Sequence, residues 1–419
     1  MAPLIDSVSN ACCDVAPNRR SFSAKRLGMV SYSPYPFDPR VRRAVDALVK
    51  EGASVDLICL GTDKQPARET QDNVDVFRIP LKNARRGRID YAFRYATFIF
   101  IASLIFASRA ILRRYDLVYV HNMPDILVAS ALIPKMFGAK VVLDLHDPMP
   151  ELLTTIFDAS PDAKSVRWLK RLEKWSIAQA DLVITVNIAC QRIFSSRSCR
   201  PEKIGVVMNA PDSQIFPFRS MTMPNLARRP ENKPFVLMYH GSLVERNGLE
   251  VAIDALERVR KTVPTAELHI FGSKTDFLIQ MMEKVREKQL QDAVRYFGPK
   301  RQEDLVIAIE GCDLGVIPNH QNAFTEINTP TRIFEYLALG KPVIAPSTRG
   351  IRDYFDKESL LFFEAGNSGD LAQRIEYAFS RPSEVFEITR RGQEVYLTHT
   401  WESERQTLLT RVREILNRG

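Results

Sequence analysis

The stretch Asn328-Thr-Pro-Thr-Arg-Ile-Phe-Glu-Tyr-Leu-Ala-Leu-Gly-Lys-Pro-Val-Ile344 carries the strongest local signal in the chain. It reads as a helix over 331–339 feeding a short strand at 342–345, the helix-to-strand step of a parallel α/β sheet. Thr329 suits the N-cap and Pro330 the first helical position. The N–H groups of Thr331 and Arg332 are then unpaired at the positive end of the helix, and the Arg332 guanidinium adds to the field. Such an opening suits phosphate. Glu335 lies on the same face as Thr331, four residues on, and is the only acid in the apolar run 333–339. A buried carboxylate needs donors, supplied by sugar hydroxyls in a site or by a Lys or Arg in a core. The pattern alone leaves both open.

The alternation extends outward from this block. Strands are predicted at 26–31, 54–60, 74–79, 116–120, 140–145, 181–186 and 204–208, separated by helical segments such as 39–51, 124–137 and 166–179. A second series has strands near 235–240, 267–271, 294–297, 314–317, 342–345 and 360–363, with helices near 249–263, 277–289, 302–309, 331–339 and 371–380. Apolar strands spaced by helices imply parallel sheets covered on both faces. Between the series, 211–234 holds five prolines and little periodicity, which marks a linker. The expected organisation is a disordered leader (1–25), an N-terminal domain (26–212), a linker (213–234), a C-terminal domain (235–383) and closing helices (384–419) that can cross back to the first domain. Two doubly wound α/β domains facing one another leave a central cleft at the carboxyl ends of their strands, where ligands bind.

The 419 residues are 45% hydrophobic and 26% charged, which argues against a fibrous or wholly disordered chain. Six cysteines form no CxxC pair and no zinc-like cluster, so they read as reduced thiols of a cytosolic protein, and no metal site is expected. The first 25 residues lack the apolar block of a secretory signal.

The net charge of +8 is local. Between Arg78 and Arg114 stand nine basic residues and one acid, Asp90, whereas the rest of the chain balances at 49 of each sign. Within this window the uncharged run Tyr95–Ser108 would rise about 21 Å as a helix, short of the roughly 30 Å hydrocarbon core. An apolar helix edged by arginines suits shallow insertion beside anionic lipid, with Arg85, Arg86, Arg88, Phe98, Phe100, Leu104, Phe106 and Arg109 as the membrane-facing set. The competing reading is a buried domain helix with solvated arginines at its ends. A nucleic-acid groove fits less well, because the arginines flank a greasy segment rather than interleave with exposed aromatics.

The block at 329–344 resembles the donor-site helix of the family-4 glycosyltransferases of the GT-B fold. Ser33-Pro-Tyr-Pro-Phe-Asp-Pro-Arg-Val-Arg-Arg43 is similar to their first loop, in the variant with Asp-x-Arg-Val in place of a Gly-Gly pair. His121-Asn-Met-Pro-Asp125, Leu143-Asp-Leu-His-Asp-Pro-Met-Pro-Glu151, Met208-Asn-Ala-Pro-Asp212 and Tyr239-His-Gly-Ser-Leu-Val-Glu-Arg-Asn-Gly248 extend the likeness across nearly the whole chain. There are departures. Ile327 stands where the family's paired-glutamate motif has its first Glu, with Glu326 one place away. Ser242 and Asn247 replace the usual Arg and Lys of the donor loop, leaving Arg246 as the substitute cation. Arg332 stands where Lys is usual.

The resemblance implies a retaining transfer from a nucleoside-diphosphate sugar, UDP favoured over GDP, without a cofactor or mandatory metal. Arg246, the backbone at Gly241 and Ser242, and the amides of Thr331 and Arg332 would face the leaving diphosphate. Glu335 would accept from the ribose, and Gly272 would let the nucleobase approach the backbone or else form an ordinary strand-end turn. His146, at a strand end, would contact the donor sugar or the reacting centre, or else fix its loop through Asp144 and Asp147. Asp38, Arg40, His121 and Asp147 fall on the acceptor side, with helix capping the alternative for the first two. His240 and His269 read as core residues. The expected protein is an enzyme peripheral to the cytoplasmic face of a membrane, acting on a lipid-linked or glycan acceptor in surface polysaccharide or glycolipid synthesis. Its alternatives are a non-catalytic subunit that recruits a partner enzyme and a sugar isomerase or phosphorylase on the same fold. Oligomeric state is not legible.

Overall fold

The computed structural model describes residues 22–62, 65–81, 88–157, 159–222 and 233–418. The first domain is an eight-stranded sheet: β1 (Arg26–Pro34), β2 (Ser54–Leu60), β3 (Arg68–Gln71), β4 (Val74–Ile79), β5 (Leu117–His121), β6 (Lys140–Leu145), β7 (Leu182–Thr185) and β8 (Ile204–Val206). Its order is β3-β4-β2-β1-β5-β6-β7-β8, parallel except for the β3–β4 pair. The second domain has β9 (Phe235–His240), β10 (Ala266–Phe271), β11 (Val294–Tyr296), β12 (Leu314–Val316), β13 (Val343–Pro346) and β14 (Leu361–Phe363) in the order β11-β10-β9-β12-β13-β14. Counted within each domain, the order reverses between the first and fourth parallel strands, as in a doubly wound Rossmann-like sheet. Two such domains make a GT-B architecture.

Helices cover both faces. In the first domain these are α1 (Pro39–Lys50), α2 (Arg88–Leu112), α3 (Leu132–Met136), α4 (Met149–Phe157), α5 (Lys164–Gln179) and α6 (Ile188–Arg197). The second has α7 (Leu249–Val259), α8 (Asp276–Glu287), α9 (Gln302–Gly311), α10 (Thr331–Ala338), α11 (Arg349–Arg352), α12 (Ser368–Ser380) and α13 (Pro382–Thr398), before the final α14 (Trp401–Asn417). The last two helices part company. α13 packs on the second domain, where Gln393 Nε2 donates to Leu337 O at 2.7 Å. α14 buries Leu408, Leu409, Val412 and Ile415 in the core of the first.

Three boundaries differ from expectation. The ordered chain starts before residue 26, because Phe22 is buried in the first core and its N–H pairs with Glu51 O at 3.0 Å. Of the linker, Phe216 is buried in the second core and Arg219 N donates to Ala338 O at 2.7 Å, so this part is docked chain. The predicted helix at 124–137 is a 3₁₀ segment, Asp125–Ala131, continued by α3.

α2 corrects the membrane reading in part. It has 25 residues, about 37 Å, long enough by length and apolar composition to cross a bilayer. Its inner face nevertheless belongs to the domain: Phe98, Ala102, Phe106 and Ala110 are buried against the sheet. Phe106 comes so close that a Cβ on Gly28 of β1 would lie 2.7 Å from its ring. Arg109 is not a lipid contact either; it donates to Asp56 at 2.8 and 3.0 Å and to Asp75 at 2.8 Å. Arg78 is buried on Glu69 and Arg94 pairs with Asp90, so carboxylates take up part of the basic window. Phe100 and Leu104 do face outward, 64% and 53% exposed. Arg85 and Arg86 and the side chain of Arg88 lie outside the described residues, as do residues 1–21 of the leader. Among the described residues Cys59, Cys190, Cys199 and Cys312 are free thiols.

Candidate active site

α10 holds its place by its apolar stripe. Ile333, Phe334, Tyr336, Leu337 and Ala338 are buried, each large side chain contributing about 1.5–3 kcal/mol, while Thr331 and Glu335 turn to the cleft. Pro330 is the N-cap rather than the first helical residue, and no side chain caps the helix. Thr329, expected in that role, instead donates to Gly350 O at 2.7 Å and accepts from Asn187 Nδ2 at 3.2 Å. A proline cap has no side-chain acceptor to give, so the first amides of α10 are left for a ligand.

Two cations flank this opening. Arg332 donates to His240 O at 2.7 Å and Asn319 Oδ1 at 3.2 Å, with its guanidinium over the Tyr239 ring. Arg246 sits in the turn after β9, with its guanidinium 5.9 Å from the Phe324 ring centroid. Neither makes an ion pair among the described residues. Together with Gly241, Ser242, Asn247, Asn319, Thr329 and Thr331 they form one wall of a cavity of about 320 Å³. The opposite wall is His146, Asp147, Val186, Met208 and Asn209 of the first domain. Asn209 and Thr331 also line a second cavity, about 610 Å³, where Asp38, Arg40, Arg43 and Asp212 face Gln302 and Glu335. These volumes suit a small ligand laid across the two domains.

Glu335 Oε2 lies 2.6 Å from His240 Nε2, and His240 Nδ1 lies 2.9 Å from the Tyr336 hydroxyl. His240 is therefore buried, as expected, but engaged with the site. The signal that could have found it is its position at the end of a strand, like that of His121 at the end of β5 and His146 just after β6. Gly272 follows β10, and a Cβ there would stand 2.2 Å from Gly241 O. The space it provides on that side is filled by the loop that follows β9, at Gly241 and Leu243.

On the facing domain, His121 and His146 end up side by side, Nδ1 to Nε2 at 3.2 Å with near-parallel rings. Asp144 lies below both and accepts from Tyr119 Oη at 2.8 Å. Burial pushes the His146 pKa down to about 3, with Asp144 pulling the other way, so the ring is neutral. Asp38 caps α1 through Arg40 N and also takes the Arg40 guanidinium; burial would raise its pKa, but Arg40 holds it at about 2. Capping and cleft exposure are thus both true of Asp38 and Arg40. Asp147, with its pKa raised by burial, lines the smaller cavity opposite Arg246. Asp125 of the same loop system is wholly buried beside Asn122, and burial raises its pKa to about 7. His121, Asp144 and His146 are also the one group among the described residues whose ligand atoms lie close enough to hold a metal, within 4.8 Å of one another.

The departure at 327 has a structural reason. Ile327 is 7% exposed and packs into the apolar cluster of the first domain, where Asn187 Nδ2 donates to its carbonyl at 2.9 Å. Glu326 does not replace a missing acid. Its carboxylate accepts from Gln321 Nε2 at 3.0 Å and Arg349 N at 3.1 Å, and it lines neither cavity.

Known proteins share this fold. Residues 38–210 match the family described as glycosyl transferase 4-like domain, and residues 225–395 the glycosyl transferases group 1. A glycogen synthase of Mycobacterium tuberculosis (strain ATCC 25618 / H37Rv) is 28% identical over 191 residues, 44% of this chain and 42% of that protein. The matched stretch thus spans less than half of that relative's length. Sucrose-phosphate synthase from Thermosynechococcus elongatus superposes with a TM-score of 0.74 at 16% identity, over 94% of this chain and all 100% of the other. HepE of Anabaena in complex with UDP gives 0.68 at 19% identity, over 93% and 100%.

Proposed function

Because this chain belongs to the family-4 glycosyltransferases of the GT-B fold, we propose that it transfers a sugar from a nucleoside-diphosphate donor to an acceptor hydroxyl. The single observation that carries this reading is the pair of cations without carboxylate partners among the described residues, Arg246 and Arg332, at the uncapped opening of α10 inside the interdomain cleft. In the reaction the bond from the anomeric carbon to the phosphate oxygen breaks and a bond to the acceptor oxygen forms. Negative charge grows on the leaving phosphate, where the two guanidiniums and the amides of Thr331 and Arg332 stabilise it. The acceptor proton passes to the departing phosphate, which keeps attack on the same face and retains anomeric configuration. Glu335 accepts from the ribose. UDP is favoured as the nucleotide, in line with the UDP bound by HepE of similar fold.

The acceptor is lipid-linked or a glycan of the cell surface, and the enzyme works at the cytoplasmic face of a membrane. Supporting this, Phe93, Phe100, Leu104, Ile111 and Leu112 form an exposed stripe along the outer side of α2, and α3 beside it adds Met136 and Phe137. Exposed Arg113 and Arg114 follow the stripe and suit anionic headgroups. A second reading, a non-catalytic recruiting subunit, is favoured by Ile327 in place of the first glutamate and by Ser242 and Asn247 in place of the usual Arg and Lys. Incubation with a panel of UDP- and GDP-sugars, read by mass spectrometry, tests the proposal. Release of one nucleotide with sugar transfer or hydrolysis is expected, and no turnover together with no nucleotide binding would refute it.

A further inference from the structure

His240 touches the opening of α10 from both its backbone and its ring. Its carbonyl accepts from Arg332 Nη1 at 2.7 Å, while the ring spans from Glu335 to Tyr336. The Tyr336 hydroxyl has one proton, which goes to Met238 O at 2.8 Å, so its oxygen accepts from His240 Nδ1–H. Tyr336 cannot shift, since it is wholly buried and lies so close to β12 that a Cβ on Gly315 would stand 2.5 Å from its ring. A hydrogen-bonded chain thus runs from the sheet at Met238 through Tyr336 and His240 to Glu335. At its end Nε2 and Oε2 meet within hydrogen-bond distance, at 2.6 Å, which leaves Oε1 as the oxygen free to meet a ligand; among the described residues Oε1 has no protein partner.

We propose that His240 is a positioning residue: it fixes the Glu335 carboxylate toward the donor's ribose, and recognition of the ribose hydroxyls depends on a side chain held behind the site. The inference rests on the reading above in one respect, that Glu335 accepts from ribose. Without the imidazole, Glu335 has no fixed rotamer at the cleft, and a hydroxyl-bearing nucleotide loses its advantage over a deoxy one.

The test is calorimetry of UDP, its 2′-deoxy and 3′-deoxy forms, and the guanine equivalents, on the full chain. Wild type is expected to favour the ribonucleotide by about fivefold or more over one deoxy form, the worth of one hydrogen bond. His240→Gln keeps an N–H donor near the Nε2 position and should preserve that ratio. His240→Leu should bring it below about twofold, with deoxynucleotide affinity little changed. A purely structural role would weaken both nucleotides alike and leave the ratio intact, which would overturn the inference. Should His240→Leu fail to fold, Tyr336→Phe removes only the hydroxyl that orients the ring. A lowered ratio there supports the proposal and an unchanged one overturns it. A wild type that binds nucleotides without discriminating removes the ribose role of Glu335, and the inference with it. A wild type that binds none of them instead sinks the donor site itself.

Discussion

Asn187 of the first domain donates to the carbonyl of Ile327 in the second at 2.9 Å, across the interface and four residues before the start of α10. The same side chain caps α6 by accepting from Cys190 N at 2.7 Å, and it donates to Thr329 Oγ1. One asparagine therefore ties the approach to α10 to a helix end in the other domain. Ile327, buried in the first domain's cluster, adds apolar contact where a carboxylate would need partners.

Asn187→Ala should accordingly destabilise the protein by about 2–4 kcal/mol, the sum of a lost cap and an unsatisfied buried carbonyl. Asn187→Ser keeps a cap but cannot reach Ile327, so it should lose about half as much. Urea denaturation of the three proteins measures this. Equal stability of Asn187→Ala and wild type would show that the contact does not hold the domains.

Arg246→Ala and Glu335→Gln are each expected to lower kcat/KM for the donor by at least about tenfold, equivalent to about 1.4 kcal/mol of transition-state stabilisation. Arg332→Lys should be milder than Arg332→Ala, because it keeps the charge but loses the fork that reaches both His240 O and Asn319. Steady-state kinetics decides. Unchanged rates in Arg246→Ala and Glu335→Gln would remove both residues from the machinery.

The sequence made this wall of the site readable because Thr331, Arg332 and Glu335 are near neighbours on one short helix. The doubly wound sheets were readable for a similar reason, since buried parallel strands such as 54–60 and 140–145 are nearly continuous apolar runs. What escaped notice lacks such a pattern. β3 is Arg-Glu-Thr-Gln, an exposed antiparallel edge with no apolar residue to signal a strand. His240 meets Glu335 across 95 residues of chain, and only the folded sheet brings them together. α2 misled in the opposite way: its uncharged run hides that every fourth residue from Phe98 to Ala110 faces the core and that Arg109 finds two aspartates.

That division of α2 separates two kinds of substitution. Phe100→Asp and Leu104→Asp lie on the exposed stripe and should abolish uptake onto anionic vesicles at low salt while leaving the unfolding midpoint nearly unchanged. Arg109→Ala should do the reverse, costing about 1–3 kcal/mol of stability through its shared ion pairs and leaving vesicle uptake intact. Sedimentation with vesicles and thermal melts measure the two effects. No uptake by wild type would end the membrane proposal.

Acidification should weaken the fold through His146. Its folded pKa of about 3 lies below the ordinary value of 6.5, so the unfolded chain binds the extra proton between those limits and stability falls as pH drops below about 6.5. The slope from this residue is about a kcal/mol per pH unit. Asp125 works oppositely, since its folded pKa near 7 favours the native state on the acid side. The readout is therefore the difference between wild type and His146→Gln, which should lose less stability from pH 7 to 5. Parallel pH profiles for the two would place the His146 ring in water.

The most direct measurement of the diphosphate grip compares UDP, UMP and uridine, with GDP, GMP and guanosine, by calorimetry on wild type and on Arg246→Ala/Arg332→Ala. A site built from two guanidiniums and an uncapped helix start should bind one diphosphate at least about tenfold more tightly than its monophosphate, and the double substitution should erase that preference. Equal affinity for the diphosphate and the bare nucleoside, or a preference untouched by removing both cations, would contradict it.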